Sequence, residues 1–389
     1  MRIDRLQVID FRNYVEAELE LGAGPNLLVG ANGQGKTNIV EAIGYLGTLA
    51  SHRVSSDVPL IRRTAERAVV RAMCSNEGRA LLIELEITAG KANRVRINKA
   101  PVTRTRDVVG VVRSVLFAPE DLALVKGDPG DRRRFLDDLL VLRHPRYAAT
   151  KADFDRVLRQ RNALLKTAGM ARRAGRDGDL RTLDVWDAHL VEHGSELLHG
   201  RLELIAGLRP HYEAAYAGVS GAADTVGLHY RTSAADQDDQ AIHDVPGRDD
   251  LAAMMRERLA QVRQKEIDRA LTLVGPQRDE LVLELDEFPA KGYASHGQSW
   301  SIALALRLAS YELLRAEGAE PILMLDDVFA ELDAKRRAHL AALAQRAEQT
   351  VITAAVHDDI PAGLVAQTFE VVSGTLAPSG TGPSRHQPN

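Results

Sequence analysis

At 389 residues with 45% hydrophobic content, the chain is long enough for two ordinary domains, or for one large domain carrying an insertion. A charged fraction of 27% and the lack of any uncharged apolar run of membrane-spanning length exclude a transmembrane segment, and the single cysteine, Cys74, excludes an internal disulfide or a cysteine-based metal cluster. The net charge of -4 hides an asymmetry: Arg53 to Arg176 holds 27 Lys+Arg against 14 Asp+Glu, so one region has the charge to face a polyanion.

The N-terminus carries an acid and no apolar stretch ending in small residues, so it does not read as a signal peptide, and a cytoplasmic location is expected. Ile3–Ile9 approximates the alternation of a half-buried strand, with Leu19–Leu21 as its partner. Asn26–Val29 is a short apolar run that breaks into Gly30-Ala31-Asn32-Gly33-Gln34-Gly35-Lys36-Thr37, and Asn38–Leu46 then has helical apolar spacing. The strings Val69–Cys74, Leu81–Ile87 and Arg94–Ile97, separated by turn residues, predict antiparallel strands. From Asp131 to about Leu273 helical patterns dominate, as in Phe154–Leu165, with an irregular Ala/Asp/Gly-rich stretch from Ala217 to Asp250 and no sustained heptad seam. Leu281–Leu285, a helix over about Gln298 to Ala316, and Pro321–Asp327 resume an α/β pattern. Residues 373–389 are rich in Gly, Pro and Ser and predict a disordered tail.

Gly30–Thr37 fits G-x-x-x-x-G-K-[ST] between a strand and a helix, the context that makes it a phosphate-binding loop. Its glycines let backbone N–H groups converge on phosphate oxygens at a helix N-terminus. Lys36 adds positive charge toward the β and γ phosphates, and the Thr37 hydroxyl can ligate Mg²⁺. Hydrolysis of a bound nucleotide also needs a carboxylate at the end of a buried strand, and Asp326 and Asp327 follow Ile322–Leu325. Asp326 is expected to hold Mg²⁺ through water, and Asp327 to polarise the attacking water, slowly because a short Asp reaches less far than Glu. Lys36 and Asp326 lie 290 residues apart, so one nucleotide fold is split by a large insertion. Ser295-His-Gly297-Gln298 opens a helix before the acidic strand, and Glu331-Leu-Asp333 follows the acids.

In that order, these motifs resemble the ABC-type ATPase heads, and several strings are similar to the RecF family of DNA recombination and repair proteins. They are Asp10-Phe-Arg-Asn-Tyr14, the phosphate loop, Phe117–Leu122 with Val125–Pro129, Arg132–Asp137, Gly275–Glu280, Ser295–Gln298 and Leu325–Asp333. The resemblance implies an SMC-like P-loop head of α/β class with an N-terminal antiparallel β lobe and an inserted helical second domain. The head would span 1–130 and 274–372, and the insertion 131–273. It implies an ATP-dependent homodimer with Mg²⁺, in which Ser295, Gly297 and Gln298 of one subunit close over the γ-phosphate held by the other. It places Arg12 and Asn13 near the nucleotide, gives Glu120 the position of a residue sensing Mg²⁺ and γ-phosphate, and makes His357 a candidate switch. Gln277, where the family pattern has histidine, and His296 with Ser299-Trp300 after the serine motif are departures that bear on the contact across subunits.

The function implied is ATP-gated binding of double-stranded DNA or gap junctions, with slow, DNA-stimulated hydrolysis releasing the dimer. It would support recombinase loading and the SOS response with RecR- and RecO-like mediators and no membrane. By charge, Arg62, Arg63, Arg104, Arg106, Arg132, Arg133 and Arg134 are the DNA-contact candidates. The alternatives are the ATP-binding subunit of a membrane transporter, and an ATP-gated scaffold that does not hydrolyse.

Overall fold

The first strand shows how the sequence pattern becomes structure. β1 (Arg2–Phe11) buries Ile3, then Leu6, Val8 and Phe11, because its register against a later strand shifts between Ile3 and Arg5. That β-bulge is why the alternation in the sequence is only approximate. The computed structural model describes residues 1–379 apart from 77, 174–180, 221–223, 236–240, 243 and 319, and the end of the expected tail, 380–389, lies outside the described residues.

β2 (Tyr14–Glu20) pairs antiparallel with β1, and β3 (Gly24–Val29) leads into the glycine loop and α1 (Lys36–Thr48). β4 (Arg67–Asn76), β5 (Arg79–Thr88), β6 (Arg94–Ile97) and β7 (Ala100–Pro101) complete a six-stranded antiparallel sheet in the order β2-β1-β4-β5-β6-β7. β8 (Ser114–Phe117) joins another sheet.

The chain then runs through α2 (Leu122–Lys126), α3 (Pro129–Arg143), α4 (Tyr147–Arg173), α5 (Arg181–Ser220), β9 (Val226–Arg231), β10 (Ala241–Ile242) and α6 (Arg248–Arg269). β11 (Glu280–Leu285), β12 (Phe288–Pro289), the short turn α7 (Ala290–Tyr293) and α8 (His296–Ala316) follow. β13 (Ile322–Asp326), α9 (Ala334–Arg346), β14 (Gln349–Ala354), β15 (Gln367–Val372) and β16 (Thr375–Pro378) close the chain.

The chain divides into two compact units: residues 1–121 with 218–220 and 306 onward, and residues 122–217 with 221–305. In the first unit the second sheet has the order β16-β15-β3-β14-β13-β8, parallel except for β16. β13 and β14 are buried along their whole length, as expected of parallel strands covered on both faces. Ile39, Val40, Ile43 and Leu46 of α1 join one core with Leu6, Val8, Val70 and Leu85 of the antiparallel sheet and with Ile322, Met324 and Val351 of the parallel one.

Three expectations are corrected. The insertion expected to be mainly helical also carries sheet: its irregular stretch, 217–250, contains strand β9, and β9 pairs with β11 in a four-stranded sheet β10-β9-β11-β12. Val226-Gly-Leu-His-Tyr-Arg231 buries only Leu228 and Tyr230, an alternation too short to stand out among its polar neighbours. With β11, residues 274–305 belong to the second unit, outside the head span expected for them. Finally, Thr375–Pro378 is not disordered: it forms β16 against β15, across a turn in which Ser373 and Gly374 both have positive φ.

Candidate nucleotide-binding site

The parallel sheet brings the distant motifs together. β14 lies between β3 and β13, with Ala354 opposite Val29 and Thr353 opposite Asp326, so the phosphate loop and the acidic pair emerge at the same carboxyl edge. That edge is where ligands bind in open parallel sheets. Thr37 Oγ1 donates to Asp326 Oδ1 at 3.1 Å, closing a gap of 289 residues.

The loop is held from outside. Gly35 has φ of 120°, and a Cβ there would come within 2.7 Å of Asn13 Nδ2 and 2.8 Å of the Tyr14 hydroxyl. Tyr14 donates to Gly35 O at 3.0 Å, Asn13 Nδ2 donates to Gln34 O at 2.9 Å, and Asn38 Nδ2 donates to Asn13 Oδ1 at 2.7 Å. On the other side, Ser373 N donates to Gln34 Oε1 at 2.5 Å and Gly374 N to Gln34 O at 3.2 Å. Ala31, Asn32 and Gly33 stay exposed at the tip. Gly30 packs so tightly under β15 that a Cβ would sit 2.2 Å from Val371 O.

Lys36 is buried, its ammonium donating to Gly30 O at 2.7 Å and lying 3.9 Å from Asp327 Oδ1. The helix start leaves the Lys36 and Thr37 N–H groups without intrahelical acceptors, a ready anion site. Asp326 is buried and accepts hydrogen bonds from Thr37 and, at 2.6 Å, from Thr353 Oγ1. Burial, aided by the negative charges of Asp327 and Glu120, pushes its carboxyl up to about 6 despite those two hydrogen bonds. A hydroxyl, a carboxylate and a second acid around one point form the oxygen donor set that suits Mg²⁺. Asp327, with φ of 50°, takes Thr353 Oγ1 as acceptor for its N–H at 2.9 Å and faces a cleft of about 140 Å³ lined by Asn32, Glu331, Thr353 and Asp359, among others.

Glu120 is exposed in the turn after β8, whose strand pairs with β13, on the same edge as Asp326. The turn is fixed by Asp121, which accepts from Ala118 N at 2.9 Å and from Arg307 Nη2 at 2.6 Å. His357 lies exposed in the turn after β14. Arg12 is engaged elsewhere: its guanidinium grips the fully buried Glu41 of α1 at 2.6 and 2.7 Å. Burial pushes the Glu41 carboxyl up, but Arg12, Ser51 and Arg53 outweigh it and hold the group below the usual range.

The serine motif lies in the second unit. Ser295 caps α8 in a reciprocal box, with Gln298 N donating to Ser295 Oγ at 3.3 Å and Ser295 N to Gln298 Oε1 at 2.9 Å. Ser295 is exposed and Gly297 half-buried, while Gln298 also donates to Asp224 at 2.9 Å and His296 meets Lys126 at 3.2 Å. Gln277 donates from Nε2 to Val274 O at 3.0 Å, and Trp300 is buried.

Residues 2–371 match the family model described as the RecF/RecN/SMC N-terminal domain. The chain is 57% identical over 376 residues to the DNA replication and repair protein RecF of Frankia alni, covering 97% of this chain and 99% of that one. It belongs to the RecF family. The RecF of Streptomyces avermitilis is 56% identical over 381 residues, covering 97% of this chain and 99% of that one. A solved structure of the recombination mediator protein RecF with ATP, from the RecFOR pathway, superposes with a TM-score of 0.86 at 25% identity, covering 97% of each chain. An Smc head bound to the C-terminal winged-helix domain of ScpA shares the fold, with a TM-score of 0.53 at 16% identity over 97% of this chain and 96% of that one. The chain therefore has the α/β architecture of RecF and SMC heads.

The basic candidates separate by environment. Arg63, Arg104 and Arg134 are exposed and Arg106 is half-buried, with no ion pair for any of them among the described residues. Arg62 pairs with Asp10 at 2.6 Å, and Arg133 donates to Asp279 O at 2.9 Å. Arg132 is a correction: it is buried, ion-paired with Glu280 and bonded to Leu124 O at 3.1 Å, so it is a structural residue and not part of a basic surface. Sequence reasoning passed over Thr353, Tyr14, Glu41 and the Ser373–Gly374 turn. Only Thr353 left a signal, as the one hydroxyl within the apolar run Val351–Val356. Among the described residues no helix is long and apolar enough to cross a membrane.

Proposed function

We propose that this chain is a cytoplasmic, ATP-dependent DNA-binding protein of replication and recombinational repair, acting as a homodimer clamped by two ATP molecules. The observation that carries the reading is the convergence of Lys36 and Thr37 with Asp326 and Asp327 on one sheet edge. When bound, ATP would supply the phosphates and Mg²⁺ would neutralise their charge. The N–H groups at the start of α1 and the Lys36 ammonium would bind the phosphates. Thr37 and Asp326 would hold the cation, and Asp327 would orient the attacking water, with Glu120 bordering the same space.

Ser295 and Gly297 of one subunit complete the site of the other, an arrangement supported by the exposure of Ser295 at the tip of α8. Exposed arginines such as Arg63, Arg104 and Arg134 contact DNA phosphates without reading sequence. Duplex and gap-junction binding, slow hydrolysis that ends the dimer, and cooperation with RecR- and RecO-like mediators in recombinase loading and the SOS response complete the reading. Membership of the RecF family along nearly the whole chain weighs against the transporter alternative. The non-hydrolysing scaffold keeps one supporting feature, since Asp327 is a short acid whose carboxylate lies 3.3 Å from Thr353 Oγ1.

Sedimentation of the protein with ATP, with a slowly hydrolysed analogue and with ADP tests the proposal. A dimer in the first two, lost with ADP and with Lys36→Ala, supports it; a monomer in every case overturns it.

A further inference from the structure

A different face carries an unassigned constellation. His189, Glu192 and His193 occupy positions i, i+3 and i+4 of α5, one face of a helix. Between them, Leu190 and Val191 are buried at 0% and 4% exposure, which turns His189 and Glu192 out to water and leaves His193 half-exposed. The two imidazoles stack with planes 12° apart, and His189 Nδ1 lies 3.5 Å from Glu192 Oε2. One ligand atom from each residue lies within 4.8 Å of the other two. Nitrogen and oxygen ligands about 2.0–2.2 Å from a tetrahedral ion sit roughly 3.5 Å apart, so small side-chain rotations bring these three onto one centre.

We propose that His189, Glu192 and His193 form a binding site for a divalent transition-metal ion of the Zn²⁺ class. Two imidazoles and one carboxylate make a donor set that such ions take, with the i, i+4 histidine spacing seen on zinc-binding helices. Mg²⁺ and Ca²⁺, which favour oxygen ligands alone, are disfavoured. The neighbouring acids do not compete: Asp187 pairs with Arg161 at 2.6 Å, Asp184 with Arg263 at 2.7 Å, and Glu196 with Arg248 at 2.9 Å. Three protein ligands leave a fourth position for water. The site is independent of the nucleotide chemistry, so it stands or falls separately from the proposed function.

The helix supplies its own reporter. The Trp186 ring lies 6.3 Å from that of His189, and the only other tryptophan is Trp300. The test titrates the full chain with Zn²⁺ by calorimetry in excess Mg²⁺, and with Cu²⁺ by tryptophan fluorescence. The expected result is one Zn²⁺ per chain, with quenching by Cu²⁺. His189→Ala and His193→Ala should each weaken binding at least about tenfold, since loss of even an outer-shell partner costs ~10–100-fold. Unchanged circular dichroism confirms that the variants fold. Absence of Zn²⁺ binding in the wild type, or equal binding and quenching in the wild type and the double variant, overturns the proposal.

Discussion

Thr353 joins the two acids of the site: its hydroxyl donates to Asp326 Oδ1 at 2.6 Å while accepting the N–H of Asp327 at 2.9 Å. The central strand β14 therefore does more than fill the sheet, because it fixes where the Asp326 carboxylate points. Thr353→Val keeps the shape and removes the donor. A hydrogen bond to a charged group contributes about 1.5–3 kcal/mol, so Mg²⁺-dependent nucleotide affinity should fall roughly tenfold or more. Titration of a fluorescent ATP analogue with and without Mg²⁺ checks this, and the loss should largely vanish without the cation.

Asp326 gives the ligand-free protein a pH dependence. Its carboxyl is raised from 3.8 to about 6, chiefly by burial, so the folded state holds the proton more tightly than the unfolded chain. The resulting stabilisation is fully present below about pH 4 and is lost as pH rises through about 6. Asp326→Asn does not titrate. Relative to that variant, the wild type should lose roughly 2–3 kcal/mol between about pH 4 and pH 7, at about 1.4 kcal/mol per pH unit of separation. Urea denaturation of both proteins at the two pH values measures the difference, and Mg²⁺ should reduce it near neutrality by binding the ionised carboxylate.

Arg12 is predicted to matter for folding before it matters for nucleotide. Among the described residues, Arg12→Ala leaves the fully buried Glu41 with Ser51 and, at 3.5 Å, Arg53. Breaking such a pair costs about 3–5 kcal/mol, whereas Arg12→Ala with Glu41→Gln should recover much of the loss. Thermal melts of the single and double variants decide it. Equal melting temperatures for Arg12→Ala and the wild type would place its importance elsewhere.

Gly35→Ala should abolish nucleotide binding, because the new Cβ meets Asn13 and Tyr14 below 3.0 Å at a φ of 120°. The expected cost, on the order of 1–3 kcal/mol for the strain alone, should appear as a lower melting temperature and a loss of ATP-analogue binding.

Two classes of arginine should behave differently toward DNA. Arg63→Glu and Arg104→Glu should weaken duplex binding and flatten its salt dependence without lowering the melting temperature. Arg132→Ala should instead destabilise the second unit, since Arg132 neutralises Glu280 within it. Binding isotherms at several salt concentrations beside thermal melts separate the two.

The legible parts of the molecule were those with a local signature. The phosphate loop, the acidic strand and the capping box of Ser295 each lie within a few consecutive residues, and the strands of the antiparallel lobe carry period-two patterns. What stayed hidden depends on contacts distant in sequence. Thr353 acquires its role only when β14 is laid beside β13, and Gln34 is held by a turn 339 residues away. Arg132 looks like its exposed neighbour Arg134 in the sequence, but a helix turn of 100° per residue puts one inside and the other out. β16 was invisible because its stability comes from pairing with β15, not from its own composition.

A site completed by two subunits is tested most directly by ATPase specific activity against protein concentration, with and without duplex DNA, for the wild type and Ser295→Arg. Specific activity should rise with concentration until the dimer saturates, increase with DNA, and be lost in Ser295→Arg. Activity that is flat with concentration, indifferent to DNA and unaffected by Ser295→Arg would contradict it.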